Sequence, residues 1–462
     1  MKQSNDRFTG TLILPSLVVG AAWIASLVGA FHIDPFVYAI ASSIYCFDLI
    51  DLLFRVYRRR NSRRKAQARA VTSIVVHEGS AGPAIARLPL QPYALIFSVH
   101  NLEREIDRFI EVTRPYQDRT WIVDDCSTDN TALRLRNAGW RCLELSTNVK
   151  KPAAIKQLLE RLPREIHTVL VLDPDSFITA ERHAPWAQLE ECVRDFQASG
   201  AAGMCPRVQV VGDSLIEQLQ TLEYALSFCL GRQSMGDLTT TSGLAMYRRD
   251  ALQWALARHS LSVYAEDLEN TVLLLGKGET IYYDDRLIIE TEGKRTLQGL
   301  FSQRVGWSFG LLKVFLERRR EIWRAAMRRP AGFYQYMIYL GGISVAALPL
   351  KVAGGVVLIL SLANGIDELL GVHLIPDTAF TNPLLFTLVY IQYLLLVSVA
   401  ALLALPRNLA LRCLWRAPFY LFYIAAQLVP MTVGYLNWLS YVLLGRRLYA
   451  DHYDATLERR ST

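Results

Sequence analysis

Thr120-Trp-Ile-Val-Asp-Asp-Cys-Ser-Thr-Asp-Asn-Thr131 is a short apolar run that stops in a burst of acids and turn residues. A run this short, rich in branched and aromatic side chains and closed by polar residues, reads as a fully buried strand. Ala94-Leu-Ile-Phe-Ser-Val99 and Thr168-Val-Leu-Val-Leu172 have the same form. Between them lie helical patterns, Glu103 to Arg114 and Thr131 to Ala138. Strand and helix in alternation predict a mainly parallel α/β sheet between about 90 and 300. Ligands on such sheets bind beyond the carboxyl ends of the strands, and those ends are acidic here.

The second strand runs into Asp124-Asp125 and the third into Asp173-Pro174-Asp175. Two carboxylates at i and i+2 off a strand end can hold one hard divalent cation, with other positions left for water and phosphate oxygens. A turn capped by Asp175 and Ser176 explains a lone Asp-x-Asp equally well. A second acidic strand end within the same sheet favours chemistry. Further on, Ala265-Glu266-Asp267 opens an apolar helix from Leu268 to Leu275. Acids suit a helix N-terminus; a carboxylate there can also serve as general base on a sugar hydroxyl. Thr291-Glu292 and Gln303-Arg304-Val305-Gly306-Trp307 follow. The latter merges into the basic run Arg318, Arg319, Arg320, Arg324, Arg328 and Arg329, a pattern expected of interfacial helices on a membrane surface.

The flanks differ. Thr11 to Phe31 carries no charge over 21 positions, enough to span about 30 Å of hydrocarbon. Asp34-Pro35 forms a turn, and Phe36 to Leu53 is a second apolar run. The start carries both signs of charge and no small-residue cleavage site precedes the second run, which argues against a cleaved signal peptide. Arg55, Arg58, Arg59, Arg60, Arg63, Arg64, Lys65 and Arg69 come next with no acid among them; beside a spanning segment they read as a positive-inside flank. From Ala331 to Ile366 the only charge is Lys351. As one helix this would measure about 54 Å, too long for one span, so an interfacial helix to 349 and a short span over 350–366 are expected. Leu384 to Leu405 is a span, Arg407, Arg412 and Arg416 mark a cytoplasmic turn, and Pro418 to Leu444 is a last span broken at Pro430, with Arg446 and Arg447 beyond it.

The 462 residues are 52% hydrophobic yet 20% charged, with mean hydropathy +0.18. This excludes a disordered chain and fits neither an ordinary soluble protein nor a pure membrane bundle. Seven scattered cysteines without a Cys-x-x-Cys pair exclude a disulfide framework and a zinc site, and point to a reducing compartment. The net charge of +7 comes from basic runs that adjoin the apolar segments, so the expected anionic partner is a lipid bilayer and not a nucleic acid.

Taken in order, these motifs resemble those of membrane-embedded family-2 glycosyltransferases, the group of cellulose, hyaluronan and chitin synthases. Asp124-Asp125-Cys126-Ser127-Thr128-Asp129 is similar to the family's Asp-Asp-Gly-Ser-Thr-Asp, and Asn148 to Ala154 to its Asn-x-Gly-Lys segment. Asp173-Pro174-Asp175 looks like the metal-binding Asp-x-Asp, and Thr241-Ser242-Gly243 with Tyr247-Arg248-Arg249 resembles the stretch before the acceptor region. Glu266-Asp267 resembles the Glu-Asp of the catalytic base, and Gln303 to Trp307 the Gln-x-x-Arg-Trp box.

The resemblance implies a GT-A fold, Rossmann-like and mainly parallel, inserted between N-terminal and C-terminal transmembrane helices. It implies that Asp124, Asp125, Lys151 and Asp173 bind a UDP-sugar, with Asp173 and Asp175 holding Mg²⁺ or Mn²⁺ on the diphosphate. Asp267, with Glu266, would deprotonate the acceptor for inverting attack. Ser242, Gly243, Gln303 and Trp307 would bind the acceptor, with Trp307 stacking on its sugar. Three departures stand out: Cys126 for Gly, Pro152 after Lys151, and Gly306 where the box has Arg, a loss for which Lys294 or Arg295 is the expected substitute.

The expected organisation is a transmembrane hairpin (1–56), a basic linker (57–90), the catalytic domain (91–295), interfacial helices (296–349), C-terminal spans (350–445) and a tail (446–462). The expected function is an integral enzyme of a bacterial inner or plasma membrane with a cytoplasmic catalytic domain. It would extend, and export, a β-linked polysaccharide on a growing glycan acceptor, with further export or assembly subunits as partners. Two alternatives stand beside it: single-sugar transfer to a polyprenyl phosphate or other lipid-linked acceptor, and an inactive nucleotide-sugar-binding subunit.

Overall fold

The computed structural model describes residues 33–449 except 73, 80, 81, 88, 181–183 and 406. The expected first span, Thr11 to Phe31, and most of the tail lie outside the described residues. The chain divides into two compact units, one comprising 1–57 and 342–429 and the other 58–341 and 430–462.

The larger unit is built on a sheet of eight strands. Chain order gives β1 (Ile74–Gly79) and β2 (Gly82–Arg87), an antiparallel pair of their own, followed by the strands of the main sheet. These are β3 (Tyr93–Val99), β4 (Thr120–Asp124), β5 (Cys142–Glu144), β6 (Thr168–Leu172), β7 (Ser176–Thr179), β8 (Gly203–Val211), β9 (Ala245–Arg248) and β10 (Ile281–Glu292). Their spatial order is β5-β4-β3-β6-β9-β8-β10-β7. Pairing is parallel from β5 to β6 and between β8 and β10, while β9 runs antiparallel to both its neighbours and β7 to β10.

Strand alternation sorts the apolar residues into two cores. Ala94, Ile96, Val169 and Val171 face helices Lys151–Arg161, Arg249–Leu256 and Glu266–Lys277. Leu95, Phe97, Leu170 and Leu172 face helices Ile106–Thr113 and Pro185–Ser199, where Phe97 and Phe109 meet edge to face at 5.1 Å. Successive side chains of a strand point to opposite faces, so a sheet covered on both faces buries every position of these central strands and no polar-apolar alternation shows in the sequence. The carboxyl ends of β3, β4 and β6 therefore emerge side by side along one edge of the sheet.

The smaller unit packs Pro35–Ala41, capped by Asp34 on the amides of Phe36 and Val37, against helices Leu348–Leu370 and Pro383–Ala404. Gly354 allows the closest approach, since a Cβ there would stand 2.4 Å from the Ile40 carbonyl oxygen. Pro35–Ala41 and Ser43–Arg59 bend by 63° at Ser42. Leu348–Leu370, Pro383–Leu403 and Ala417–Leu444 are long and apolar enough to cross a membrane. Two expected boundaries differ. The run before the first of these is π-helical from Tyr334 to Ala346, and the span begins at Leu348, two residues before the expected start at 350. Pro430 stays inside the last helix, because a proline removes a single amide donor and an apolar helix tolerates that loss.

Candidate functional site

The loop after β4 positions the first pair of acids. Asp125 N–H donates to the Val99 carbonyl at the end of β3 (2.9 Å), which ties the two strand ends together. Its carboxylate accepts the amides of Val149 (2.6 Å) and Lys150 (2.8 Å), and Asn148 Nδ2 donates to the Asp125 carbonyl (3.0 Å). Asp124 accepts the Ser127 amide at 3.1 Å and the Ser127 hydroxyl. Both aspartates are buried. Burial pushes the Asp125 carboxyl up, against the two amides that favour its charge. The chain turns here through left-handed backbone: Cys126 has φ +61° and Lys150 φ +74°.

A neighbouring loop, not singled out in the sequence, completes this end of the site. Asn101 (φ +53°) receives the Thr128 amide on Oδ1 and gives its own amide to Ser127 Oγ, both at 2.8 Å. Leu102 N–H donates to Thr131 Oγ1 (2.7 Å) and Glu103 N–H to Asp129 (3.1 Å). The available signal was that His100-Asn101 directly follows a buried strand, as the two acidic pairs do.

Lys151, at the start of its helix, gathers the second group. Its ammonium donates to Asp173 Oδ1 (2.6 Å) and the Gly243 carbonyl (3.4 Å), and stands 3.4 Å from Glu266 Oε1. Gly243 faces all three, because a Cβ there would lie 3.3 Å from Lys151 Nζ, 3.5 Å from Asp173 Oδ2 and 3.7 Å from Glu266 Oε1. Burial opposes the charge on Lys151, but the Asp173 and Glu266 carboxylates outweigh it and raise its pKa. Glu266 is pushed up to about 7 by burial and by Asp267, with Lys151 opposing. Asp267 is raised by burial as well; the Leu268 amide (2.8 Å) and the charge of Arg232 work the other way. Ala265, at φ +53°, sets the acidic pair at the head of helix Glu266–Lys277. Thr241 Oγ1 holds the Asp267 carbonyl at 3.1 Å, and Ser242 Oγ is turned to the Leu244 carbonyl at 2.7 Å.

Asp175 accepts Ser176 Oγ at 3.1 Å, and its carboxyl is raised by burial and by the charge of Asp173. Among the described residues no three His, Cys, Asp or Glu side chains converge as a metal cage. Two mutually repelling carboxylates beside one ammonium nevertheless suit a hard cation whose remaining positions are filled by phosphate and water, the mode usual for Mg²⁺.

Helix Leu297–Glu317 carries the expected acceptor residues. Gly310 packs it onto the loop that leads into Glu266: a Cβ there would sit 2.8 Å from Ala265 N. Trp307 is 36% exposed, with the Arg304 guanidinium 4.2 Å from its ring. Arg304 Nη2 also donates to Glu223 (2.6 Å), and Gln303 turns a buried Oε1 inward. Gly306 is buried. Of the two expected substitutes for the box arginine, Arg295 lies 3.4 Å from Glu217, whereas Lys294 exerts its charge on Asp175. Arg232, which acts on Asp267, was not expected from the sequence.

Residues 95–254 match the family described as Glycosyl transferase family 2. The match holds the Asp124-Asp125, Lys151, Asp173-Asp175 and Gly243 positions and ends before Glu266. No curated protein matches the sequence. Among solved structures, the mannosyltransferase PcManGT from Pyrobaculum calidifontis, in complex with GDP-Man and Mn²⁺, is similar with TM-score 0.51 at 13% identity, over 86% of this chain and 98% of that one. Glucosyl-3-phosphoglycerate synthase from Mycobacterium tuberculosis, in complex with Mn²⁺, UDP and glucosyl-3-phosphoglycerate, aligns with TM-score 0.32 at 17% identity, over 48% of this chain and 79% of that one. The larger unit has a GT-A-like fold.

Proposed function

We propose that the chain is a membrane-integrated, inverting glycosyltransferase that uses a nucleotide sugar, with UDP as the expected leaving nucleotide, and Mg²⁺ or Mn²⁺ to extend a β-linked glycan. The observation that carries this reading is the convergence of Lys151, Asp173 and Glu266 on Gly243, with Asp267 beside them at a helix start. Asp124 and Asp125 bind the nucleoside in the pocket off β4. Asp173 and Asp175 hold the divalent ion, which neutralises charge on the departing diphosphate. Lys151 adds a fixed positive charge at the same place, where preorganised charge acts without reorganisation. Asp267 accepts the proton from the acceptor hydroxyl, and the neighbouring Glu266, with its pKa near neutrality, shares the negative charge of the pair. Trp307 offers an exposed indole on which an acceptor sugar can stack. Three apolar helices hold this unit at a bilayer.

The test is a donor screen on the full chain in lipid nanodiscs with Mn²⁺ or Mg²⁺. UDP-sugars are tried first, with GDP-mannose included because the mannosyltransferase of similar fold was solved with it. Release of nucleoside diphosphate that requires metal and is lost in Asp267→Asn is the expected result. A ladder of sugar products confirms glycan extension; one sugar on an organic-extractable lipid replaces it by lipid glycosylation. No release with any donor, while nucleotide still binds, assigns the chain to the non-catalytic class.

A further inference from the structure

The charge balance of the site leaves a demand. A departing nucleoside diphosphate needs cationic groups around it, and the segment Gln303–Trp307 places Gly306 and not a guanidinium at its fourth position. Arg304 faces Glu223 and the Trp307 ring.

A different guanidinium is delivered from another element. Helix Leu215–Leu226 continues as a π-helical turn, Ser227–Arg232. Such turns are rare and tend to occur at functional sites. This one brings positions five apart together, and Arg232 Nη1 donates to Ser227 Oγ at 2.7 Å. The guanidinium lies 3.8 Å from the Phe228 ring centroid, and Phe228 stacks on Tyr224 with centroids 5.8 Å apart. The charge of Arg232 acts on the Cys205 thiol, and Cys205 Sγ is 3.9 Å from the hydroxyl of Ser242, the residue before Gly243. The charge of Arg232 reaches Asp267, and Tyr224, one step along the stack, lies within reach of both Asp175 and Arg232. Arg232 Nε is buried with no hydrogen-bond partner among the described residues.

We infer that Arg232, carried on the π-turn and braced by Phe228 and Ser227, binds the outer phosphate of the donor diphosphate and fills the role that Gly306 leaves open. A guanidinium offers a planar fork of donors that matches phosphate oxygens, and a stacked one loses little freedom on binding. Its charge acts on Asp267, the proposed base, so the phosphate next to the bond that breaks is the group assigned to it. The inference rests on the proposed nucleotide-sugar chemistry.

The experiment measures UDP and UMP binding to the full chain in nanodiscs with Mn²⁺, for wild type, Arg232→Gln and Arg232→Lys. Losing a charged hydrogen bond to phosphate corresponds to about a 10- to 100-fold weakening. Arg232→Gln is expected to weaken UDP by that factor and UMP by less than about two-fold, while Arg232→Lys retains part of the UDP affinity. Equal loss for UDP and UMP assigns Arg232 a structural role and overturns the inference, as does unchanged UDP binding. If Arg232→Gln does not fold, the UDP-to-UMP ratio of Arg232→Lys decides, and an unaltered ratio refutes the assignment. Wild type that binds neither nucleotide sinks the parent reading itself, an outcome distinct from the other two.

Discussion

Removing the charge of Glu269 should loosen the catalytic loop and stop turnover before it unfolds the protein. Glu269 lies one turn after Glu266 with its side chain 1% exposed. Its Oε1 accepts the Ser260 amide (2.9 Å) and Arg318 Nε (2.8 Å), and its Oε2 accepts the Ser260 hydroxyl (2.6 Å). The His259 ring nitrogen Nε2 stands 3.4 Å from Oε2 and 3.2 Å from the Glu266 carbonyl. Loop 259–265 is thereby pinned to the catalytic helix on one side and to the end of helix Leu297–Glu317 on the other. Burial alone would raise the Glu269 carboxyl, but His259, Ser260 and Arg318 outweigh it and the pKa is lowered. Breaking a fully buried ion pair costs about 3–5 kcal/mol. Arg318 is 23% exposed, and glutamine keeps one acceptor oxygen, so about 2 kcal/mol is expected for Glu269→Gln. In a domain of this size that corresponds to roughly 4–8 °C in Tm. Catalysis should suffer more, because displacing a reacting group by about 1 Å can cost about 100-fold. The assay pairs thermal unfolding with nucleotide-release kinetics for Glu269→Gln, Arg318→Met and the double variant. Coupling of about 1–2 kcal/mol between the two positions is expected, with kcat falling by at least about 10-fold and donor KM changing little. Single variants that melt within about 1 °C of wild type with unchanged kcat would refute the argument.

Two further outcomes follow from the same loops. Cys126→Gly removes a side chain from backbone at φ +61°; relief of about 1–2 kcal/mol, less the extra entropy glycine has when unfolded, should raise Tm by roughly 1–4 °C, and a lower Tm by differential scanning fluorimetry counts against strain at this turn. Burial lowers the pKa of His259, and Leu261 N–H donates to its Nδ1 at 2.8 Å, so the native ring is neutral with its proton on Nε2. A histidine whose native pKa is depressed binds protons preferentially when unfolded, so its contribution is complete above pH about 6.5 and is lost as the pH falls below that value. Denaturant unfolding between pH 7.5 and 5.5 should show this slope, and His259→Gln should flatten it; an unaltered slope in that variant excludes His259 as its source.

The sheet and the acids at its strand ends were readable because each depends on a few consecutive residues. Buried strands such as Thr168–Leu172 show no alternation, yet their length and the acids that follow set them apart. β10 was harder to see. Asp284, Asp285 and Arg286 interrupt it where its register with β8 shifts; Arg286 satisfies Asp284 from within the strand (2.6 Å) and bonds Asp195 (2.7 Å), while Asp285 accepts Gln233 Nε2 (3.3 Å). Arg232 and Glu269 left no local signal at all. One looks like a charge near a helix end, the other like a third acid in a helix's first turn. Each acquires its meaning from residues 27 to 49 positions away, Cys205 for Arg232 and Arg318 for Glu269. The start of the span at Leu348 was hidden for another reason: an apolar run with little amphipathic contrast fixes length but not phase.

The left-handed residues bear on where the chemistry lies. Cys126, Lys150 and Ala265 are non-glycine residues with positive φ, and each immediately precedes or follows a charged group of the site: Asp125, Lys151 and Glu266. A conformation of this kind costs about 1 kcal/mol or more and persists only where its surroundings determine it. Here the surroundings are visible. The carboxylate of Asp125 fixes Lys150 by accepting its amide, and the packing of Gly310 against Ala265 fixes the third turn. Structural need alone explains one such turn, since a loop must reverse somewhere. It does not explain why three separate loops from three separate elements each bear strain at the residue beside a buried charge. Holding Asp125, Lys151 and Glu266 at one edge of the sheet is the common consequence, and that edge is where the proposed nucleotide sugar would be engaged.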